Sequence, residues 1–184
     1  MERLKIKYNK EVVPALMEKY KYPSVMAVPR LEKVVLNTGF GRMVVSKEGA
    51  EAKKSVQDIL LNFADIAGQK PALTKAKKSI STFKLREGMG IGAKVTLRNG
   101  RMYEFLDRLV AIVLPRTRDF QGLDPKAIDS KGNMTIGIRE HLFFPEVSPE
   151  KSHVPFGLEI TVATTAKTRE EGEDLFRLLG FPLK

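Results

Sequence analysis

Apolar residues recur along this chain at two periods, and the switches between those periods outline its elements. From Lys47 to Ala67, the positions Ala52, Val56, Ile59, Leu60, Phe63 and Ala67 form one stripe of an amphipathic helix that Gly68 closes. Met102, Phe105, Leu106, Leu109, Val110 and Val113 repeat in the same way, with Pro115 as the expected stop. A last helix opens with Thr168 three residues before Glu171, the spacing of a capping box. It is expected to bury Leu175, Leu178 and Leu179 and to stop at Gly180 before Pro182. Residues 1–22 read as a helical segment with a kink or restart at Pro14, because proline lacks the N–H and its ring crowds the preceding turn.

Elsewhere the period is two. Ile91, Ala93, Val95 and Leu97 face one way while Lys94, Thr96 and Arg98 face the other. Met134, Ile136 and Ile138 alternate with Thr135, Gly137 and Arg139; Leu158, Ile160 and Val162 alternate with Glu159, Thr161 and Ala163. Arg30–Asn37 is a β-rich run closed by the turn signal Thr38-Gly39-Phe40-Gly41, and residues 71–74 form a short extended piece. About five strands and three or four helices result, several strands being adjacent in order. That pattern predicts an α+β fold: one mainly antiparallel or mixed sheet, helices on one face, and a long basic loop between two strands. The other face is wet, lined by Lys94, Thr96, Arg98, Thr135, Arg139, Glu159 and Thr161. At 184 residues a single domain is expected, residues 1–184, with no internal repeat.

Charge changes the picture. Thirty-two basic against 22 acidic side chains give +10 at pH 7, which favours a polyanionic partner. Nine bases and a single acid, Glu87, fall between Lys70 and Arg101, so the surplus is directed rather than spread. Its densest part is TKAKKSISTFKLREGMGIG, Thr74–Gly92, where Ile80, Phe83, Leu85, Met89 and Ile91 sit among the charges at spacings that suit neither a helix nor one clean strand. It is read as a protruding loop; loops this long are usually functional or disordered, and this one is expected to be both, mobile in the free protein and ordered when bound.

Other chemistries find little support. The chain has no cysteine, which excludes disulfides, thiolate metal sites and cysteine nucleophiles. The longest apolar run, Leu109 to Leu114, is far short of the roughly 20 residues that span a bilayer, and the N-terminus has no signal-peptide core; a soluble, cytoplasmic protein is expected. His141 and His153 form no ligand set with Glu140, Glu146 or Glu150, Gly39-Phe40-Gly41 lacks the rest of a phosphate-loop pattern, and Ser79 and Ser81 have no activating partner. No catalytic residue, metal or cofactor is expected. The strand 91–98 carries no outward aromatic, so base stacking on the sheet is not expected; lysine, arginine and threonine there suit a folded, duplex-like RNA. A membrane surface fits less well, since the bases are not on an amphipathic helix. Two alternatives stay open on these residues alone: a general RNA- or DNA-binding module, and an enzyme acting on RNA phosphates.

Longer segments carry a resemblance. VPRLEKVVLNTGFG (Val28–Gly41), GQKPALTKAKKSISTFKLREGMGIGAKVTLR (Gly68–Arg98), RMYEFLDRLVAIVLPRTRDFQG (Arg101–Gly122) and NMTIGIREHLFFPE (Asn133–Glu146) resemble the bacterial ribosomal large-subunit protein five family, over nearly the whole chain. One departure is Gly90, where the family usually has proline. The resemblance implies a non-enzymatic constituent of the large subunit, sited on the ribosome in the cytoplasm, that binds 5S rRNA in the central protuberance beside neighbouring 5S-associated proteins. It implies 5S contacts at Asn37, Gln69 and Thr96, with Lys70, Lys94 and Arg98 around them. It also implies that the loop 74–92 faces the peptidyl-site tRNA through Lys75, Lys77, Lys78, Ser79, Ser81, Lys84 and Arg86. A further surface is implied to bridge to a small-subunit head protein.

Overall fold

The structure is a computed structural model and describes residues 3–46, 49–118, 120–148 and 154–184. Strands β1 (Leu31–Gly39), β2 (Ala72–Lys75), β3 (Gly90–Leu97), β4 (Met134–Ile138) and β5 (Leu158–Thr164) form a single five-stranded antiparallel sheet in the order β2-β3-β1-β5-β4. Alternation works as expected in the strands. Ala93, Val95 and Leu97 are buried while Lys94 and Thr96 are exposed, and β4 and β5 repeat the pattern. The fold class is therefore the α+β arrangement that the periodicities predict. The chain divides into two compact units, one of residues 1–35, 97–136 and 161–184, the other of residues 36–96 and 137–160.

The first unit holds most of the helices: α1 (Arg3–Lys7), α2 (Val13–Tyr20), α5 (Asn99–Arg108), α6 (Leu114–Arg116) and α7 (Arg169–Leu179). Its core combines Val12, Leu16, Phe105, Leu106, Leu109, Leu175 and Phe176 with Val34, Met134 and Val162. Fully burying each such side chain contributes roughly 1.5–3 kcal/mol before entropy is counted. Leu178, expected in that core, is only half-buried; Phe176 takes the place. The cap of α7 is as expected at its first turn, where Glu171 N–H donates to Thr168 Oγ1 at 3.3 Å. The Glu171 carboxylate accepts from Lys167 N–H at 2.8 Å.

Pro115 overturns an expectation, and Pro14 shares its cause. Residues Tyr8–Val12 and Leu109–Val113 are π-helical, closed by Val13 N–H to Tyr8 O and by Leu114 N–H to Leu109 O. Pro14 follows the first and Pro115 the second, each two residues beyond the π segment's end. A regular helix would drive the proline ring into the carbonyl four residues back; the wider turn leaves room for it. Pro115 therefore does not stop its helix, which continues to Arg116. There Thr117 Oγ1 donates to Val113 O at 3.1 Å.

The second unit contains α3 (Gly41–Ser46) and α4 (Gly49–Ala67). Lys47, the expected start of α4, lies outside the described residues. Ala52, Ile59, Phe63 and Ala67 of the expected α4 stripe are buried, with Ile66 added, alongside Leu36, Val95, Ile138 and Leu158; Val56 and Leu60, also expected there, are only half-buried. The strands β1 and β3 approach closely at Gly92, where a Cβ would lie 2.7 Å from both Thr38 O and Thr74 Oγ1. Only glycine fits there. His141 is fully buried, stacked on Phe156 with centroids 3.9 Å apart, and its Nδ1 accepts from Phe156 N–H at 3.3 Å. Burial pushes its pKa below the ordinary value. That is a core histidine; His153 lies outside the described residues.

Candidate nucleic-acid interface

The open side of the sheet in the second unit gathers three of the candidate residues. Lys94 and Thr96 are exposed on β3, and Asn37 is exposed on β1, the neighbouring strand. Phe40 N–H donates to Ile91 O at 2.9 Å, and counting back along this antiparallel pair sets Asn37 across from Lys94. On its other side Lys94 pairs with Ala72 of the edge strand β2. The row ends at β5, where Glu159 Oε2 accepts from Asn37 Nδ2 at 3.2 Å. A cation, an amide and a carboxylate thus stand side by side, without an aromatic among them.

Gln69 and Lys70 enter from α4. Gly68, at φ +62, supplies the left-handed residue that ends the helix. The chain then runs through half-buried Gln69 and exposed Lys70 into β2, beside the Thr96 end of β3. Arg98 belongs to the first unit, where its guanidinium lies 3.7 Å from Glu32, itself 3.9 Å from Lys33 Nζ. Both charges are about half exposed, so that pair is worth little. Thr135 and Thr161 face each other there at 3.3 Å, hydroxyl to hydroxyl.

The stretch between β2 and β3 is built rather than loose. Ala76 N–H donates to Met89 O and Gly88 N–H to Ala76 O, continuing the ladder beyond β2. Ile80 and Leu85 exchange two bonds of 3.0 Å across the four-residue turn 81–84, and Glu87 N–H donates to Ser79 Oγ at 2.9 Å. Its base carries a bulge: Thr74 pairs with Gly92 and Lys75 with Gly90, leaving Ile91 over. The hairpin leaves Lys75, Lys77, Lys78, Lys84 and Arg86 exposed, with Ser79 and Ser81 exposed between them. Of its apolar residues, Leu85 and Met89 are half-buried, whereas Phe83 is 65% exposed and Ile80 43%. Leu85 and Met89 are thus placed to pack within the hairpin, while Phe83 stands out from it.

Two features escape sequence reasoning. Helix α3 stands where only a turn was expected, and it borders an apolar groove against the hairpin tip. The second is Glu159 as partner of Asn37, a contact 122 residues apart in the chain that no local pattern could signal. Among the described residues no cluster of histidines and carboxylates could hold a metal ion, and no helix is long and apolar enough to cross a membrane.

The family model of ribosomal protein L5 matches residues 24–86, and the model for the C-terminus of the same ribosomal family matches residues 90–183. The chain is 52% identical over 182 residues to the large ribosomal subunit protein uL5 of Caldanaerobacter subterraneus, covering 99% of this chain and 98% of that one. It is 50% identical to uL5 of Halothermothrix orenii with the same coverage, and 53% identical over 180 residues to uL5 of Streptococcus pyogenes, covering 98% and 97%.

Proposed function

The chain belongs to the ribosomal protein L5 family, as a non-enzymatic constituent of the large ribosomal subunit, and from that premise we propose that it binds 5S rRNA through its open sheet face and tRNA through its basic hairpin. In bacteria the uL5 proteins are part of the ribosome in the cytoplasm. The observation that carries the first half is the row Lys94–Asn37 with Thr96 on the same exposed side. Lysine neutralises phosphate and sets affinity, whereas the amide and hydroxyl fix register on one particular RNA. Gln69 and Lys70 extend this surface from the edge, and Arg98 adds a phosphate contact.

The second half rests on the hairpin. Five exposed cations and one acid on a narrow ordered projection suit phosphate contact at a distance from the sheet. We assign Lys75, Lys77, Lys78, Lys84 and Arg86 to the peptidyl-site tRNA, with Ser79 and Ser81 donating to its backbone. Contacts with neighbouring 5S-associated proteins and a bridge to the small-subunit head complete the proposal.

Filter binding of 5S rRNA tests it. Asn37→Ala and Thr96→Ala are each expected to weaken binding by about 1–3 kcal/mol, because a buried partner group on the RNA loses its hydrogen bond. Neutralising Lys75, Lys77 and Lys78 together leaves 5S binding intact and lowers the salt dependence of tRNA binding on the ribosome. Wild-type 5S affinity in both single variants would refute the sheet-face assignment.

A further inference from the structure

At the hairpin tip one aromatic ring stands in solvent over an apolar groove, and the phosphate contacts proposed above make no use of it. Phe83 is 65% exposed, yet its backbone is fixed. The turn that bears it is clamped at both ends by the reciprocal bonds of Ile80 and Leu85. It is closed by Lys84 N–H to Ser81 O at 3.0 Å, with Lys84 in the left-handed region at φ +51. A lysine held at positive φ is uncommon and costs backbone energy, so this turn is specified rather than slack.

Behind the ring, α3 and the hairpin enclose an open groove of about 620 Å3. Its walls are apolar, from Val45, Leu85, Ile91 and Phe83, while its polar rim includes two cations, Arg42 and Lys84, both exposed. Among the described residues no carboxylate lines it. A ligand matched to such a site has a flat apolar face and an anionic flank, which is the description of a nucleotide. An amphipathic protein helix would also cover the apolar wall, but the hairpin's five bases to one acid favour a polyanion.

We infer that Phe83 and the groove beside α3 dock an unstacked nucleobase of the tRNA that the hairpin meets, with the base stacked on the ring and Arg42 and Lys84 facing the adjoining phosphates. This inference rests on the tRNA-facing reading of the hairpin. It adds α3, through Arg42 and Val45, to a surface that otherwise consists of the hairpin's own lysines.

The test uses ribosomes assembled with variant protein and measures peptidyl-site tRNA affinity across a salt series. Phe83→Ala is expected to weaken binding about 5- to 150-fold with no change in salt slope, the range of losing one base–aromatic stack. Phe83→Tyr keeps the stack and restores affinity, and Arg42→Gln lowers the slope. A Phe83→p-benzoylphenylalanine variant is expected to crosslink to tRNA nucleotides on irradiation. If neutralising Lys75, Lys77 and Lys78 weakens tRNA binding while Phe83→Ala does not, the docking site is refuted and the phosphate contact stands. If neither variant has an effect, the tRNA-facing reading itself fails. Crosslinks to ribosomal protein or to rRNA in place of tRNA overturn the choice of occupant.

Discussion

Glu159 occupies an awkward position for a protein that binds RNA, and its replacement by glutamine gives a quantitative test. Its carboxylate accepts from Asn37 Nδ2 at 3.2 Å at the β5 end of the exposed row. Any phosphate oxygen that reaches the same amide at about 3 Å lies within about 6 Å of Glu159 Oε2. Two like charges at that separation in water repel by about 0.7 kcal/mol, and 0.1 M salt, with a screening length near 10 Å, trims this to about 0.4. Glu159→Gln removes the charge and keeps an oxygen that accepts from Asn37. Binding of 5S rRNA should therefore tighten about twofold at 0.1 M salt, and the gain should vanish near 1 M. A fluorescence titration at several salt concentrations resolves a twofold change. Weaker binding by the glutamine variant would refute the reasoning, because it would mean that the carboxylate accepts directly from an RNA amino group, as Glu does from cytosine N4. The companion Glu159→Ala separates charge from orientation: if Glu159 serves chiefly to aim Asn37, alanine loses affinity while glutamine does not.

Two further outcomes concern stability. Gly92→Ala drives a Cβ to 2.7 Å from the backbone carbonyl of Thr38, so β1 and β3 must part; about 1–3 kcal/mol is expected, a drop of about 2–12 °C in Tm, whereas Gly39→Ala, with nothing within 4 Å, should melt like wild type. Equal melting of the two variants would contradict the close approach. His141 is held neutral by burial, its pKa below the ordinary 6.5, so the unfolded chain takes up a proton that the folded one does not. Stability should be flat above about pH 6.5 and fall as pH drops below it; thermal melts from pH 7.5 to 5 check this, and a profile unchanged in His141→Gln would exclude this histidine as the cause.

Much of the architecture was legible because long periodic segments have only one way to bury their apolar face. β3, β4, β5 and α7 follow directly from spacing, and the exposure of Lys94 and Thr96 follows from alternation, whereas Asn37 is pointed to only by the family resemblance. The failures have physical causes. Gly41–Ser46 is too short for a helical period to show, and its leading glycine is a turn signal in its own right. Pro115 reads as a terminator unless the backbone widens ahead of it, and that widening is a tertiary choice. The hairpin hides its order because its hydrogen bonds run through backbone and one serine hydroxyl, leaving side chains with no regular alternation. On α4 only Val56 and Leu60 fall short of the expected burial, because they face a half-open groove that also involves Leu73 and Met89.

The surplus residue at the foot of the hairpin sets more than a local kink. With Thr74 opposite Gly92 and Lys75 opposite Gly90, Ile91 is counted on one strand only, so the up-and-down order of side chains is reset where the projection begins. Lengthening the tip by residue pairs would alter reach and preserve handedness. Deleting Ile91 alone would restore regular pairing with β2 and remove the bend and extra twist, so the whole projection would leave the sheet in a different direction.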